Sequence, residues 1–168
     1  MLIMHIRSLV QHYDHKRYWD LRNKVTSGKG NRLCRLVWLY RIKCMDAKNC
    51  ASMGTNLEES AVFLTPPQLP HGLYGIIVSK NAQIGRNATI FHQVTIGQGN
   101  GGAPTIGDNV YIGAGAKIIG NIRIGDNVKI GANCVVFTDI PDNCTVVLPK
   151  PRILMHNNAE NPGGEESR

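Results

Sequence analysis

A chain of 168 residues, 42% hydrophobic and 18% charged, is too apolar for a disordered polypeptide and suits one domain with a modest appendage. No apolar run approaches the ~20 residues of a membrane span. The N-terminus MLIMHIRSLVQH has no uninterrupted apolar core and no small-residue cleavage site, so a cytoplasmic location is expected. The five cysteines form no C-x-x-C pair and read as reduced thiols.

The net charge of +7 sits at one end. Residues 1–55 hold eleven lysines and arginines against three aspartates, a net +8, while the remainder holds eight bases against nine acids. This segment is expected to be a separate basic helical unit, two helices divided by the turn-rich stretch from Thr26 to Asn31. In the second helix Leu33, Leu36, Val37, Tyr40 and Cys44 fall on one stripe. One reading is an electrostatic contact with an anionic membrane or an acidic glycan. The default is a solvated basic face whose stripe packs on the rest of the chain or on a neighbouring copy. No nucleic-acid motif or aromatic platform accompanies the charge, so no nucleic acid is expected as a partner.

Beyond residue 56 an aliphatic residue returns every six positions: Ile84, Ile90, Ile96, then Ile106, Ile112, Ile118, Ile124, Ile130 and Val136. Six is not a helical period, and a helix would smear these residues around its circumference. It fits a short strand followed by a corner. The corner residues follow, as Gly85-Arg86-Asn87, Gly107-Asp108-Asn109, Gly125-Asp126-Asn127 and Gly131-Ala132-Asn133. A second inward residue sits four places after each aliphatic, from Ala82 to Ile140. Three units make one triangular coil of eighteen residues, and coils must stack because none buries its aliphatics alone. Leu57, Phe63, Leu69 and Val78 extend the series backwards, giving thirteen rungs from Leu57 to Val136. Residues 154–168 are expected to be a disordered tail, since 157–168 contain no aliphatic residue.

The regularity breaks twice. Nine residues separate Leu69 from Val78, around Pro70-His71-Gly72-Leu73-Tyr74-Gly75, and ten separate Ile96 from Ile106, around Gln98 to Pro104. A glycine-dense insertion in a stacked coil must bulge outward and can cover a ligand. His71 is the first catalytic candidate, because a neutral imidazole at a corner beside glycines can accept a hydroxyl proton. His92, two residues after Ile90, is its competitor. His5, His12, His15 and His156 read as surface histidines.

The run PHGLYGIIVSKNAQIGRNATIFHQVTIG, then IGDNVYIGAGAKIIGNIRIGDNVKIGANCVVFTDIPDNCTVV and the closing PKPRI, resembles the hexapeptide-repeat acetyltransferases of the serine acetyltransferase-like branch, and most nearly the small O-acetyltransferases of bacterial capsule and exopolysaccharide synthesis. The resemblance covers about residues 45–153. It implies a mainly β protein, a left-handed parallel β-helix over residues 56–153 behind the short helical segment, assembled as a homotrimer. Acetyl-CoA would lie between adjacent subunits. On this resemblance His71 is the catalytic histidine and Asn56 falls where an aspartate orients that imidazole. Ala114, Ala132 and Lys129 line the coenzyme channel, Gly97 to Gly99 begin the loop over pantetheine, and Arg152 lies near the nucleotide.

Two departures bear on the acceptor. Gly102-Ala103 stand where serine acetyltransferases have an Arg-His pair, and Pro70 replaces an aspartate before the histidine. Without those groups serine has little to grip, so a sugar or polysaccharide-precursor hydroxyl is the expected acceptor. His71 would take its proton, the oxygen would attack the thioester directly, and a backbone N–H of the 97–99 turn would hold the oxyanion. The alternatives are serine O-acetylation and a non-enzymatic scaffold, which would favour unbroken coils. A zinc site of the gamma-type carbonic anhydrase kind needs three convergent ligands. The coil offers only two histidines, so no metal is expected.

Overall fold

The computed structural model describes residues 13–28 and 30–154. His5, His12, His156 and residues 155–168 of the expected tail lie outside them. The order is α1 (His15–Thr26), α2 (Arg32–Lys48), then twelve strands of two or three residues. They are β1 (Val62–Phe63), β2 (Ile77–Val78), β3 (Gln83–Ile84), β4 (Thr89–Ile90), β5 (Thr95–Gly97), β6 (Thr105–Ile106), β7 (Tyr111–Ile112), β8 (Lys117–Ile119), β9 (Arg123–Ile124), β10 (Lys129–Ile130), β11 (Val135–Val136) and β12 (Thr145–Val146). Three four-stranded parallel sheets result, in the orders β1-β3-β6-β9, β4-β7-β10-β12 and β2-β5-β8-β11. They are the three sides of a parallel β-helix.

Register shows where the coil departs from eighteen residues. Val78 pairs with Ile96 and Ile112 with Ile130, eighteen apart, whereas Ile90↔Ile112 and Ile96↔Ile118 are twenty-two apart, the four-residue insertion counted once per coil. Phe63↔Ile84 is twenty-one apart, which carries the three extra residues around His71. The aliphatic rungs point inward, and all nine from Ile84 to Val136 are at most 3% exposed. The second inward series is buried from Ala82 to Cys134.

Two rungs differ from the sequence reading. Ser52 bridges Ile77, so the buried Met53, and not Leu57, stands in the rank of Val78. Residues 54–60 leave the coil between Met53 and Ala61, with the Ala61 N–H donating to the Gly54 carbonyl at 2.9 Å. At the other end Ile124 bridges Ile140, and Ile130 pairs with Val146, sixteen residues on. Ile140 is therefore a rung and not a second inward residue, and the last coil is two residues short.

The Gly-Asp-Asn corners have a division of labour. Asn87, Asn109, Asn127 and Asn143 hold positive φ between 54° and 59°, a region asparagine tolerates. Their amides form a ladder, Asn87 Nδ2 donating to Asn109 Oδ1 at 3.2 Å, Asn109 to Asn127 at 3.1 Å and Asn127 to Asn143 at 3.0 Å. The aspartates reach back one coil: the Arg86 N–H donates to Asp108 Oδ1 at 2.6 Å, Asp108 N–H to Asp126 at 2.7 Å and Asp126 N–H to Asp142 at 2.8 Å. A side chain on Gly107 would strike the Asp126 carboxylate and come within 2.9 Å of the Gly125 carbonyl carbon. Glycine is required there by close approach.

The helices close the first end of the helix of strands. Asp14 caps α1 and Asn31 caps α2 by accepting the N–H groups of Arg17 and Cys34 at 2.9 and 2.8 Å. Tyr18 donates to Asp46 Oδ1 at 2.7 Å, joining the two helices in the core. Burial raises the Asp46 carboxyl above its ordinary range, against the lowering effect of the Tyr18 hydrogen bond. Trp19 meets Phe63 edge to face at 5.0 Å.

Arg22, 3% exposed, lies over the Trp19 and Phe63 rings and donates to the Met53 carbonyl at 3.1 Å, to Thr55 Oγ1 and to the Ala61 carbonyl. In later coils the carbonyls matching Ala61, those of Ala82, Pro104 and Ile122, accept from Val62, Gln83 and Thr105 of the coil before. Among the described residues no strand of an earlier coil stands over Ala61, and the guanidinium takes that place. Burial lowers the Arg22 pKa.

The apolar stripe read on α2 does not pack on the coil. Leu33 and Tyr40 are each 70% exposed, while Ile42 and Asp46 are buried, with Trp38, Leu39 and Met45 packed beside them. None of the described helices is long and apolar enough to cross a membrane.

Arg22→Met strands two carbonyls and a hydroxyl, so urea unfolding should show a loss of about 2–5 kcal/mol. Gly107→Ala should cost about 1–3 kcal/mol in the same measurement, through displacement of the Asp126 corner.

Candidate active site

The insertion around His71 folds as two consecutive tight turns. The Gly72 N–H donates to the Leu69 carbonyl and the Ile76 N–H to the Leu73 carbonyl, both at 3.0 Å. Gly72 and Gly75 take positive φ of 70° and 66°. Leu73 is fully buried and pins the corner, while the Gly75 N–H donates to the Asn49 carbonyl at the end of the helical segment at 2.9 Å. Between these anchors His71 stands exposed.

His71 is not alone. Its ring stacks on His92 at 4.8 Å between centroids and 17° between planes, and lies 5.6 Å from Phe91, which in turn lies 5.1 Å from Tyr111. His92 is half-buried, and its Nδ1 is buried without a hydrogen-bond partner among the described residues. The two histidines read from the sequence as competitors therefore share one corner. The row continues down the stack: the Gly115 N–H donates to the His92 carbonyl at 3.0 Å, and the Asn133 N–H to the Ala114 carbonyl at 2.8 Å. By register Tyr74, His92, Ala114 and Ala132 form one edge, and His71 joins its head through the ring stacked on His92. Lys129 stands exposed on the adjoining β10, paired in register with Tyr111.

The remaining candidates lie elsewhere. Gly97 ends β5 at the far corner of the same rung, where Gly99 and Gly102 form an antiparallel bridge. The Gly99 N–H is committed to the Gly102 carbonyl at 3.0 Å and is not a free oxyanion donor. A Cβ on Gly99 would lie 3.0 Å from the Gly120 Cα, so the loop lies close against the next coil.

Asn56 is engaged on the helical side of the first coil. Its N–H donates to Ser60 Oγ at 2.9 Å, and it lines a cavity of about 410 Å³ with Trp19, Arg22, Asn23 and Phe63. No hydrogen bond or ring contact joins Asn56 to His71 within the chain. Arg152 is exposed on the irregular segment after β12. Among the described residues no group of three metal-ligating side chains converges. The Phe91–Tyr111 platform was missed in the sequence, although an aromatic one residue after a rung and another one before the next rung down were its available signal.

Residues 103–138 match the family described as bacterial transferase hexapeptide (six repeats). A serine acetyltransferase of Mycobacterium tuberculosis is 34% identical over 144 residues, 80% of this chain and 62% of the relative. A serine acetyltransferase of Staphylococcus aureus is 48% identical over 84 residues, 47% of this chain and 38% of the relative. The crystal structure of Neisseria gonorrhoeae serine acetyltransferase in complex with serine superposes with a TM-score of 0.62 at 33% identity, covering 80% of this chain and 54% of that one. The chain thus spans less than two thirds of these relatives.

The likeness to hexapeptide-repeat acetyltransferases holds, but these relatives are serine acetyltransferases and not capsule or exopolysaccharide enzymes. Their identity overturns the expectation of a sugar or polysaccharide acceptor.

The stacked pair has a spectroscopic consequence. His92→Ala should move the imidazole C–H resonances of His71 in the proton NMR spectrum by removing a ring current, and unmoved resonances would mean that the rings are apart in solution.

Proposed function

We propose that the chain is an acetyl-CoA-dependent serine O-acetyltransferase that transfers acetyl directly, with His71 as general base. The observation that carries this reading is the exposed His71 at the head of the His92–Ala114–Ala132 edge, in a chain similar to serine acetyltransferases over four fifths of its length. His71 removes the proton from the serine hydroxyl, and the oxygen attacks the thioester carbonyl. As the tetrahedral intermediate collapses, the C–S bond breaks and the imidazolium protonates the departing thiolate. No covalent enzyme intermediate is required.

Stacking on His92 and contact with Phe91 restrict rotation of the His71 ring, which favours a fixed approach to the hydroxyl. Acetyl-CoA, as co-substrate, would run along the edge past Ala114 and Ala132, whose small side chains leave the corner low, with Lys129 and Arg152 as candidates for its phosphates. The 97–104 loop and the His71 edge occupy different corners of one chain. A groove that uses both is therefore assembled between copies, which supports a homotrimer.

Acceptor binding has to differ from that in a site built with an Arg-His pair and an acid before the histidine, because Gly102-Ala103 and Pro70 stand there. The serine ammonium and carboxylate lose those charge-assisted partners. The KM for L-serine should accordingly lie above the ~1 mM top of the usual range.

The test is release of free CoA from acetyl-CoA with L-serine, with O-acetylserine identified by mass spectrometry. His71→Ala should lower kcat by about 10²–10⁴-fold while light scattering reports an unchanged assembly. No serine-dependent release by the parent chain, or full activity in His71→Ala, would overturn the reading.

A further inference from the structure

The second helix turns an apolar face to solvent. Leu33, Leu36, Val37 and Tyr40 follow the i, i+3, i+4, i+7 spacing of one helix face and are 70, 45, 45 and 70% exposed. Cys44, half-buried, and Ala47, exposed, continue the stripe. At 100° per residue Arg41 and Lys48 run down one margin of the stripe and Arg32 and Lys43 down the other. The only acid of the helix, Asp46, is buried on the opposite side against Tyr18.

This face is mounted rigidly. Ile42 is fully buried beneath it, and Arg35 donates to the Val25 carbonyl at 3.1 Å and to the Leu57 carbonyl at 2.6 Å, fastening α2 to α1 and to the 54–60 excursion. A preformed helix with an apolar stripe between two cationic margins matches the chemistry of an anionic bilayer surface, where side chains enter the interface and lysines and arginines meet the headgroups. A second copy of the same face is a poor match. Isologous packing would bring both sets of Arg32, Arg41, Lys43 and Lys48 into one seam, with no acid of the helix to pair them. Residues 1–12 add Arg7 and no acid, so they do not supply the missing charge either.

We propose that the outer face of α2 docks the protein on anionic lipid membranes, lying in the interface without spanning it. Leu33, Leu36, Val37 and Tyr40 are the inserted residues, and the basic margins select negative headgroups.

Flotation of the full chain with phosphatidylcholine vesicles, alone or mixed with phosphatidylserine, tests this. Binding is expected to the mixed vesicles, to weaken with added salt, and to be far weaker on phosphatidylcholine alone. Leu33→Ser with Tyr40→Ser should lower partitioning by about tenfold or more, and Arg41→Gln with Lys48→Gln by several-fold at low salt. All four side chains are exposed, so circular dichroism and thermal unfolding of both variants should match the parent. Absence of binding by the full chain, equal binding to both vesicle types, or undiminished binding by the serine variant would overturn the proposal. So would light scattering in which the serine variant falls apart into smaller species, because the face would then be a contact between copies.

Discussion

Everything in this protein is subordinate to the parallel register between successive coils. Each backbone carbonyl on a flat side waits for an N–H one coil away, and each corner N–H of the Gly-Asp-Asn kind waits for an aspartate one coil on. Unequal coils can satisfy both demands only if surplus residues leave at a corner, because an extra residue inside a strand would turn every following side chain to the wrong face. The insertions of three and four residues do leave there, and Phe63↔Ile84 and Ile84↔Ile106 pair as though nothing intervened. Chemistry is thus confined to the places where the ladder is indifferent to length.

That constraint explains why the prism was legible before the structure. An isoleucine every six residues has one physical use, and the positions of both breaks followed from counting. The places where counting failed share a cause. Leu57 falls on the period only because the 54–60 excursion has a length that mimics a rung, while Met53, an unbranched side chain outside the aliphatic pattern, fills the space. Ile140 falls on the lesser inward series of the sequence because the last coil sheds two residues, and a deletion leaves no residues of its own to notice.

On α2 the difficulty was different. Trp38, Leu39, Ile42 and Met45 make one apolar stripe and Leu33, Leu36, Val37 and Tyr40 another. A period of 3.6 reveals both stripes and cannot say which faces inward; the inward one is the side on which Asp46 accepts the buried hydrogen bond of Tyr18. At the candidate site, His71 was legible from the break, but its partnership with His92 depends on a separation of twenty-one residues across two coils. The acceptor is not legible in the missing charges, because the absence of one set of binding groups names no other substrate; the relatives that carry the same repeats are serine acetyltransferases.

The guanidinium of Arg22 has one more implication. A prism of identical rungs invites growth, since the last coil of one molecule presents the edge that the first coil of another could extend, and endless head-to-tail fibres would follow. By occupying the Ala61 carbonyl, with Trp19 and the Phe63 ring closing around it, Arg22 removes one of the acceptors that such an extension would need. A first rung with a satisfied carbonyl and two helices beside it is a poorer template for the next molecule, and head-to-tail growth needs both ends open.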